Sequence, residues 1–169
     1  MSSSSAAAAP AARVKTSKVK GRRELHFAKL DDIQTEAERL ASVRVRQLGN
    51  WPLGYSLAHL AGAMKMSLDG VDFKAPLYIR LFAPLIKKGL LRGPMKPGFQ
   101  LPKKASEVLI PSGEVSAQDG LNQLRTQIER LNRETQRAPS PVFGPMTREE
   151  WDQLHLRHAE MHLSFYVPE

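Results

Sequence analysis

Residues 147–165 read Thr-Arg-Glu-Glu-Trp-Asp-Gln-Leu-His-Leu-Arg-His-Ala-Glu-Met-His-Leu-Ser-Phe, and the fold is decided by how this stretch is read. Thr147 followed three residues later by Glu150 is a capping box, in which each side chain satisfies a backbone N–H of the other end of the first turn. Trp151, Leu154, His158, Met161, His162 and Phe165 then recur at three- and four-residue steps. That period predicts a helix from Arg148 to Tyr166 with these residues on its core-facing stripe. His158 and His162, four residues apart, stand one above the other on a helix with about 5–6 Å between their Cβ atoms. Two imidazoles at that spacing can converge on one ion at about 2.0–2.1 Å each. His155 lies at the edge of the stripe, one turn earlier. Three buried imidazoles without partners are costly.

Upstream, the most apolar segment is Pro52–Leu68, where Leu53, Tyr55, Leu57, Leu60, Met64 and Leu68 cover nearly every side and Lys65 is the one charge. A helix apolar all round is a central, buried one. Gly49-Asn50 stops the preceding element, and Pro52 suits the first positions of a new helix. His59 sits mid-helix. It is read either as a core histidine bonded to a backbone carbonyl or as a third ligand beside His158 and His162. A first helix is predicted from Asp31 to Leu48, with carboxylates at its positive end. A third long helix runs from Ser116, its N-cap with Asp119, to about Arg137. Gly120 inside that helix is unfavourable and points to close packing or a frayed first turn. The expected architecture is all-α, with four long helices and one extra short, amphipathic helix at 75–91, interrupted at Pro84.

Between that short helix and Ser116, residues 92–115 carry Pro94, Pro97, Pro102 and Pro111 and little periodicity. An irregular segment this long in a compact domain is usually a functional or site-covering loop. Lys87, Lys88 and Arg92, in or beside it, are the candidate groups for holding an anionic part of a cofactor or substrate. The competing reading is a solvated basic loop.

Cysteine is absent, which excludes disulfides, thiolate metal sites and a cysteine nucleophile. The net charge of +8 is unevenly placed: residues 1–23 hold six cations and no acid, leaving +2 on residues 24–169. Residues 1–23 are therefore expected to be a disordered basic tail and residues 24–169 one domain. Nucleic acid is an expected partner only through non-specific contacts of the tail. The longest charge-free run, Gln47–Met64, contains Asn50, Pro52 and His59, so no membrane span and no membrane partner are expected. No secretory signal is recognised, and the expected location is the cytoplasm.

One histidine on a buried helix and two on another are the material of a three-histidine site for zinc, nickel, iron or manganese. Binding needs neutral rings, so affinity is expected to fall as pH drops through about 6.5. HExxH is absent because residue 159 is alanine, which argues against a peptidase, and Glu160 is placed pointing away from the ion.

Together, GNWPLGYSLAHL at 49–60 and LHLRHAEMHLSF at 154–165 resemble the DinB/YfiT-like superfamily, and within it a bacterial branch with a GNW…HL motif, an FG…TREEW turn and a terminal RHAEMHLSF helix. The resemblance spans residues 24–169. It implies an up-down-down-up four-helix bundle, with a long loop between helices two and three and one divalent metal on His59, His158 and His162. His155 has no counterpart in the ligand set and is left as a group supporting the ligands. The better-known relatives are thiol-dependent transferases or isomerases, so the resemblance also implies a low-molecular-weight thiol, a small-molecule substrate and either transferase or metal-dependent hydrolase activity. A homodimer is a further expected partner. A non-enzymatic metal-binding or stress-related module is the alternative.

Overall fold

The computed structural model describes residues 13–98 and 103–169. Among them are six α-helices, a 3-10 turn at Thr16–Lys18 and one two-stranded sheet: α1 Leu30–Ser42, β1 Val45–Gln47, α2 Leu53–Asp69, α3 Leu77–Arg92, α4 Lys103–Leu109, α5 Ala117–Arg133, α6 Arg148–Leu163 and β2 Tyr166–Pro168. The mostly helical character agrees with the sequence.

The helix starts follow local chemistry. Asp32 Oδ2 accepts from the backbone N–H groups of Ala28 and Lys29 at the head of α1. Ser116 Oγ accepts from Asp119 N at α5. Thr147 and Glu150 form the expected reciprocal box at α6, at 3.0 and 3.1 Å. Each satisfies donors that the first turn leaves without a helical acceptor.

The helix ends depend on distant partners. Instead of running to Leu48, α1 stops at Ser42, because Val45-Arg46-Gln47 pairs antiparallel with Tyr166-Val167-Pro168. The β-branched Val43 and Val45 favour that extended backbone, and the same pairing ends α6 three residues before Tyr166. α5 stops at Arg133 and not Arg137, because the buried Arg137 folds back and donates to Leu131 O and Glu134 O, capping the last turn.

Leu30, Ile33, Ala37 and Leu40 of α1, Leu57, Leu60 and Met64 of α2, Leu121, Leu124, Ile128 and Leu131 of α5, and Leu156, Ala159 and Leu163 of α6 share one core. α2 packs along α5 and is buried along most of its length, as its composition requires. At the start of that contact a Cβ on Gly120 would lie 2.3 Å from Gly54 O, and one on Gly54 would lie 2.3 Å from Ser116 O. Close backbone approach, not fraying, is the reason for glycine at both places.

Three expectations about the rest of the chain change. The stretch at 75–91 is a 16-residue helix continuous through Pro84, lying on α6 through a Lys87–Glu150 ion pair of 2.6 Å. The segment 92–115 is not irregular throughout, since it contains α4, whose end buries Leu109 against Ala63. Within the expected tail, residues 1–12 lie outside the described residues, but Val14 N and O both bond Asn50 and Arg22 donates to Ser164 Oγ. Arg23 pairs with Glu36 at 2.5 Å. These contacts pin residues 14–23 to the helical body.

Candidate metal centre

On α6, the buried residues are Trp151, His155, Leu156, Ala159 and Leu163 with the Arg157–Glu160 pair. Of the predicted stripe, Trp151 and Phe165 are buried while Leu154, His158, Met161 and His162 are only partly so, and the centre of the core face is turned by about a third of a turn from the expected one at 100° per residue. Two charges that pattern reading places in water are inside, neutralised by one another. His158 and His162 consequently sit on the flank of α6, partly exposed, where they meet α2.

There the three rings converge. The ligand nitrogens of His59, His158 and His162 lie within 4.8 Å of one another. Ring centroids are 5.0 Å apart for His59–His158, 4.8 Å for His59–His162 and 4.7 Å for His158–His162. His59 Nε2 is 3.2 Å from His158 Nε2. A tetrahedral ion at about 2.0–2.1 Å from each nitrogen would set neighbouring nitrogens about 3.3 Å apart. The widest pair, up to 4.8 Å apart, must close by as much as about 1.5 Å, which takes rotation of the partly exposed His158 and His162 rings about their side-chain torsions.

Both readings of His59 meet in one ring. Its Nδ1 lies 2.8 Å from the carbonyl oxygen of Leu109. A carbonyl only accepts, so Nδ1 carries the proton and the Nε2 lone pair faces the other two histidines. A metal-binding histidine is generally held this way, by a hydrogen bond on its second nitrogen. The proline-rich segment thus reaches the site through one backbone carbonyl. Its residues Val108–Pro111 also line a groove of about 310 Å³ with Ala58, Ala61, Lys65 and Gln127, and the three histidines are not part of that groove.

Trp51, which enters the sequence analysis only as part of the GNW motif, closes one wall. Its ring stacks on His162 at 5.3 Å and 6°, and meets His59 edge-on at 5.0 Å. Tyr166 fixes the approach to α2, its hydroxyl donating to Trp51 O at 2.7 Å and contacting Ser56 Oγ. The signal available in the sequence was the adjacency of Trp51 to the buried helix, which alone does not orient a ring.

Loss of solvent favours the neutral form of all three histidines. Desolvation lowers His59 despite its bond to Leu109, and pushes His158 and His162 well below their ordinary value, each reinforced by the neighbouring imidazoles. Neutral imidazole is the metal-binding form. The expected loss of binding on acidification accordingly moves to below pH 6.5.

The other predicted residues lie elsewhere. Glu160 faces away, accepting from Phe27 N and Arg157 at 2.6 Å each. His26 is exposed beside that carboxylate, at 3.8 Å. Lys87 is held by Glu150, eight residues and about 12 Å along α6 from His158 at 1.5 Å per residue. Lys88 and Arg92 are exposed on α3.

His155 is outside the cluster of three. It stacks on Trp151 at 5.6 Å, and its Nε2 lies 2.9 Å from Ser67 Oγ. Ser67 donates its own proton to Met64 O, so Nε2–H of His155 is the donor between them. Burial, helped by the Arg137 charge, pushes its pKa down to about 3. A folded value below the unfolded one of about 6.5 means the stabilisation is complete above pH 6.5 and is lost as pH falls toward 3. Between pH 7 and pH 4 His155 should account for about 3 kcal/mol of lost stability at 1.36 kcal/mol per unit. Urea unfolding of metal-free wild type and His155→Gln at both pH values checks this: the variant should lose less by that amount, and equal losses would contradict it.

Residues 19–169 match a family model described as protein of unknown function (DUF1569). Neither the curated proteins nor the solved structures contain a match.

Proposed function

We propose that this chain, which belongs to the DUF1569 family, holds one divalent ion on His59, His158 and His162 and serves a reaction of a small molecule at that ion. The observation that carries the reading is the pinned tautomer of His59: its proton is spent on Leu109 O, and its lone pair faces a second imidazole nitrogen at 3.2 Å. Without an ion, His158 Nε2–H donates to that lone pair, and an ion held by the three neutral rings takes the place of that proton. When bound, zinc, nickel, iron or manganese supplies Lewis acidity and can lower the pKa of a coordinated thiol or water.

The chain's own residues do the rest. His59 contributes rigidity, since its ring is held from behind by Leu109. His158 and His162 contribute access, since both are partly exposed. Trp51 excludes water from one side by stacking on His162. Three protein ligands are typical of catalytic zinc sites, whereas closed four-ligand sites are structural. This favours an enzyme over a purely structural ion, and among enzymes a thiol-dependent transferase or metal-dependent hydrolase. An external thiol suits a chain without cysteine.

We also read α1, α2, α5 and α6 as the up-down-down-up bundle of DinB/YfiT-like proteins. The shared core of those four helices supports it.

Metal analysis of the purified chain followed by cobalt substitution tests the reading. About one equivalent per chain is expected, and a sulfur-to-cobalt charge-transfer band should grow when a small thiol is added, because thiolate is a ready ligand for a borderline ion. Bound cobalt whose spectrum ignores both thiol and other added ligands would leave a structural ion.

A further inference from the structure

The outward face of α3 is apolar where a surface helix is ordinarily polar. Leu77, Tyr78, Leu81, Phe82, Leu85 and Ile86 are 60–77% exposed. Their spacing of one and four residues puts them on one side of the helix. The opposite side carries buried Ala83 and Leu91 and the Lys87–Glu150 ion pair that fastens α3 to α6. The face is thus turned outward by a defined attachment. Single exposed leucines need no explanation, but six contiguous large apolar side chains mark an interaction surface.

Charge identifies what covers it. Lys74, Arg80, Lys88, Arg92 and Lys96 are exposed around the same helix, and no aspartate or glutamate occurs from Phe73 to Gly98. Lys88 and Arg92 lie seven residues after Leu81 and Leu85, so they continue the apolar stripe at its C-terminal end. A second copy of this chain would bring one acid-free cationic face against another. An acidic bilayer meets both features at once, with acyl chains taking the apolar residues and phosphates or carboxylates taking the cations.

We infer that α3 docks this protein in-plane on the surface of an anionic lipid bilayer, its apolar face inserted at the headgroup boundary and Lys88 and Arg92 on the lipid charges. The attachment is to the surface: among the described residues no helix is long and apolar enough to cross a membrane. This amends the sequence expectation of no membrane partner, which considered only spanning segments. Lys88 and Arg92, expected from the sequence to hold an anionic part of a cofactor or substrate, meet lipid charges instead in this inference.

Flotation of the full chain with vesicles of phosphatidylcholine alone, or mixed with phosphatidylserine, tests the inference. Binding to the mixed vesicles should exceed binding to the neutral ones at least tenfold and should fall with added salt. Leu81→Glu/Leu85→Glu should abolish it, and Lys88→Glu/Arg92→Glu should weaken it at least tenfold, both with unchanged helical content. His158→Ala should bind vesicles as the wild type does, which separates this surface from the metal centre. Equal binding to both vesicle types, or undiminished binding by the Leu81/Leu85 variant, would overturn the inference. So would absence of vesicle binding accompanied by a dimer that the Leu81/Leu85 substitutions dissociate, because the face would then belong to a second copy.

Discussion

Replacing His59 or His158 by alanine is expected to leave the purified protein without its divalent ion. Each supplies one of three nitrogens, and among the described residues no carboxylate joins the cluster, Glu160 being turned away and held by Phe27 N and Arg157. Loss of an outer hydrogen bond to a ligand typically costs 10–100-fold in affinity, so loss of a ligand should exceed about 100-fold. His162→Ala should behave alike. His155→Ala should weaken binding by about tenfold at most, as a neighbour bonded to Ser67. His26→Ala should have no effect. Equilibrium metal content of the five variants is the measurement, with a second readout in thermal unfolding. A ligand at 1,000 times its dissociation constant stabilises the folded chain by about 4 kcal/mol. Added metal should therefore raise the melting temperature of the wild type and not of His59→Ala or His158→Ala. Full occupancy in both variants would make these ordinary core histidines, and the proposed reaction would lose its centre.

Glu160→Ala is expected to destabilise the fold by about 3–5 kcal/mol, the usual consequence of removing one partner of a buried ion pair. The Arg157 and Glu160 side chains are 6% and 9% exposed and meet at 2.6 Å. Glu160 also accepts from Phe27 N, and Arg157 donates to Phe27 O at 2.9 Å, so the pair ties α6 to the chain leading into α1. Without the carboxylate, Arg157 keeps one backbone acceptor, its Nε has no hydrogen-bond partner, and Phe27 N loses its acceptor. Replacing both residues, as in Arg157→Met/Glu160→Leu, should recover most of the loss, because well-packed apolar residues often replace a buried pair without penalty. Urea midpoints at neutral pH measure both. A loss below about 1 kcal/mol in Glu160→Ala would show that water reaches the pair and that it acts as a surface bridge.

Much of this molecule is legible in the order of its residues, wherever the cause is local. Thr147 with Glu150 and Ser116 with Asp119 place two helix starts, because a cap needs only the residues of one turn. The composition of Pro52–Leu68 places α2 at the centre, because a helix apolar all round has no face to give to water. The four-residue step from His158 to His162 places two imidazoles together, and the glycine at 120 marks a close approach. Tertiary structure decides whatever depends on residues far apart in the chain. Val45–Gln47 leaves the helical register because Tyr166–Pro168 comes to lie beside it. α6 turns a different side inward than its pattern suggests, because Arg157 and Glu160 neutralise each other and a hydropathy pattern cannot see a pair. The lone pair of His59 is aimed by the carbonyl of Leu109, fifty residues on, and Trp51 becomes a wall of the site only when α6 brings His162 beneath it. The apolar side of α3 is visible in the sequence as amphipathicity. That it faces outward follows from the Lys87–Glu150 bond to α6, because period tells which residues share a face and only packing tells which face is covered.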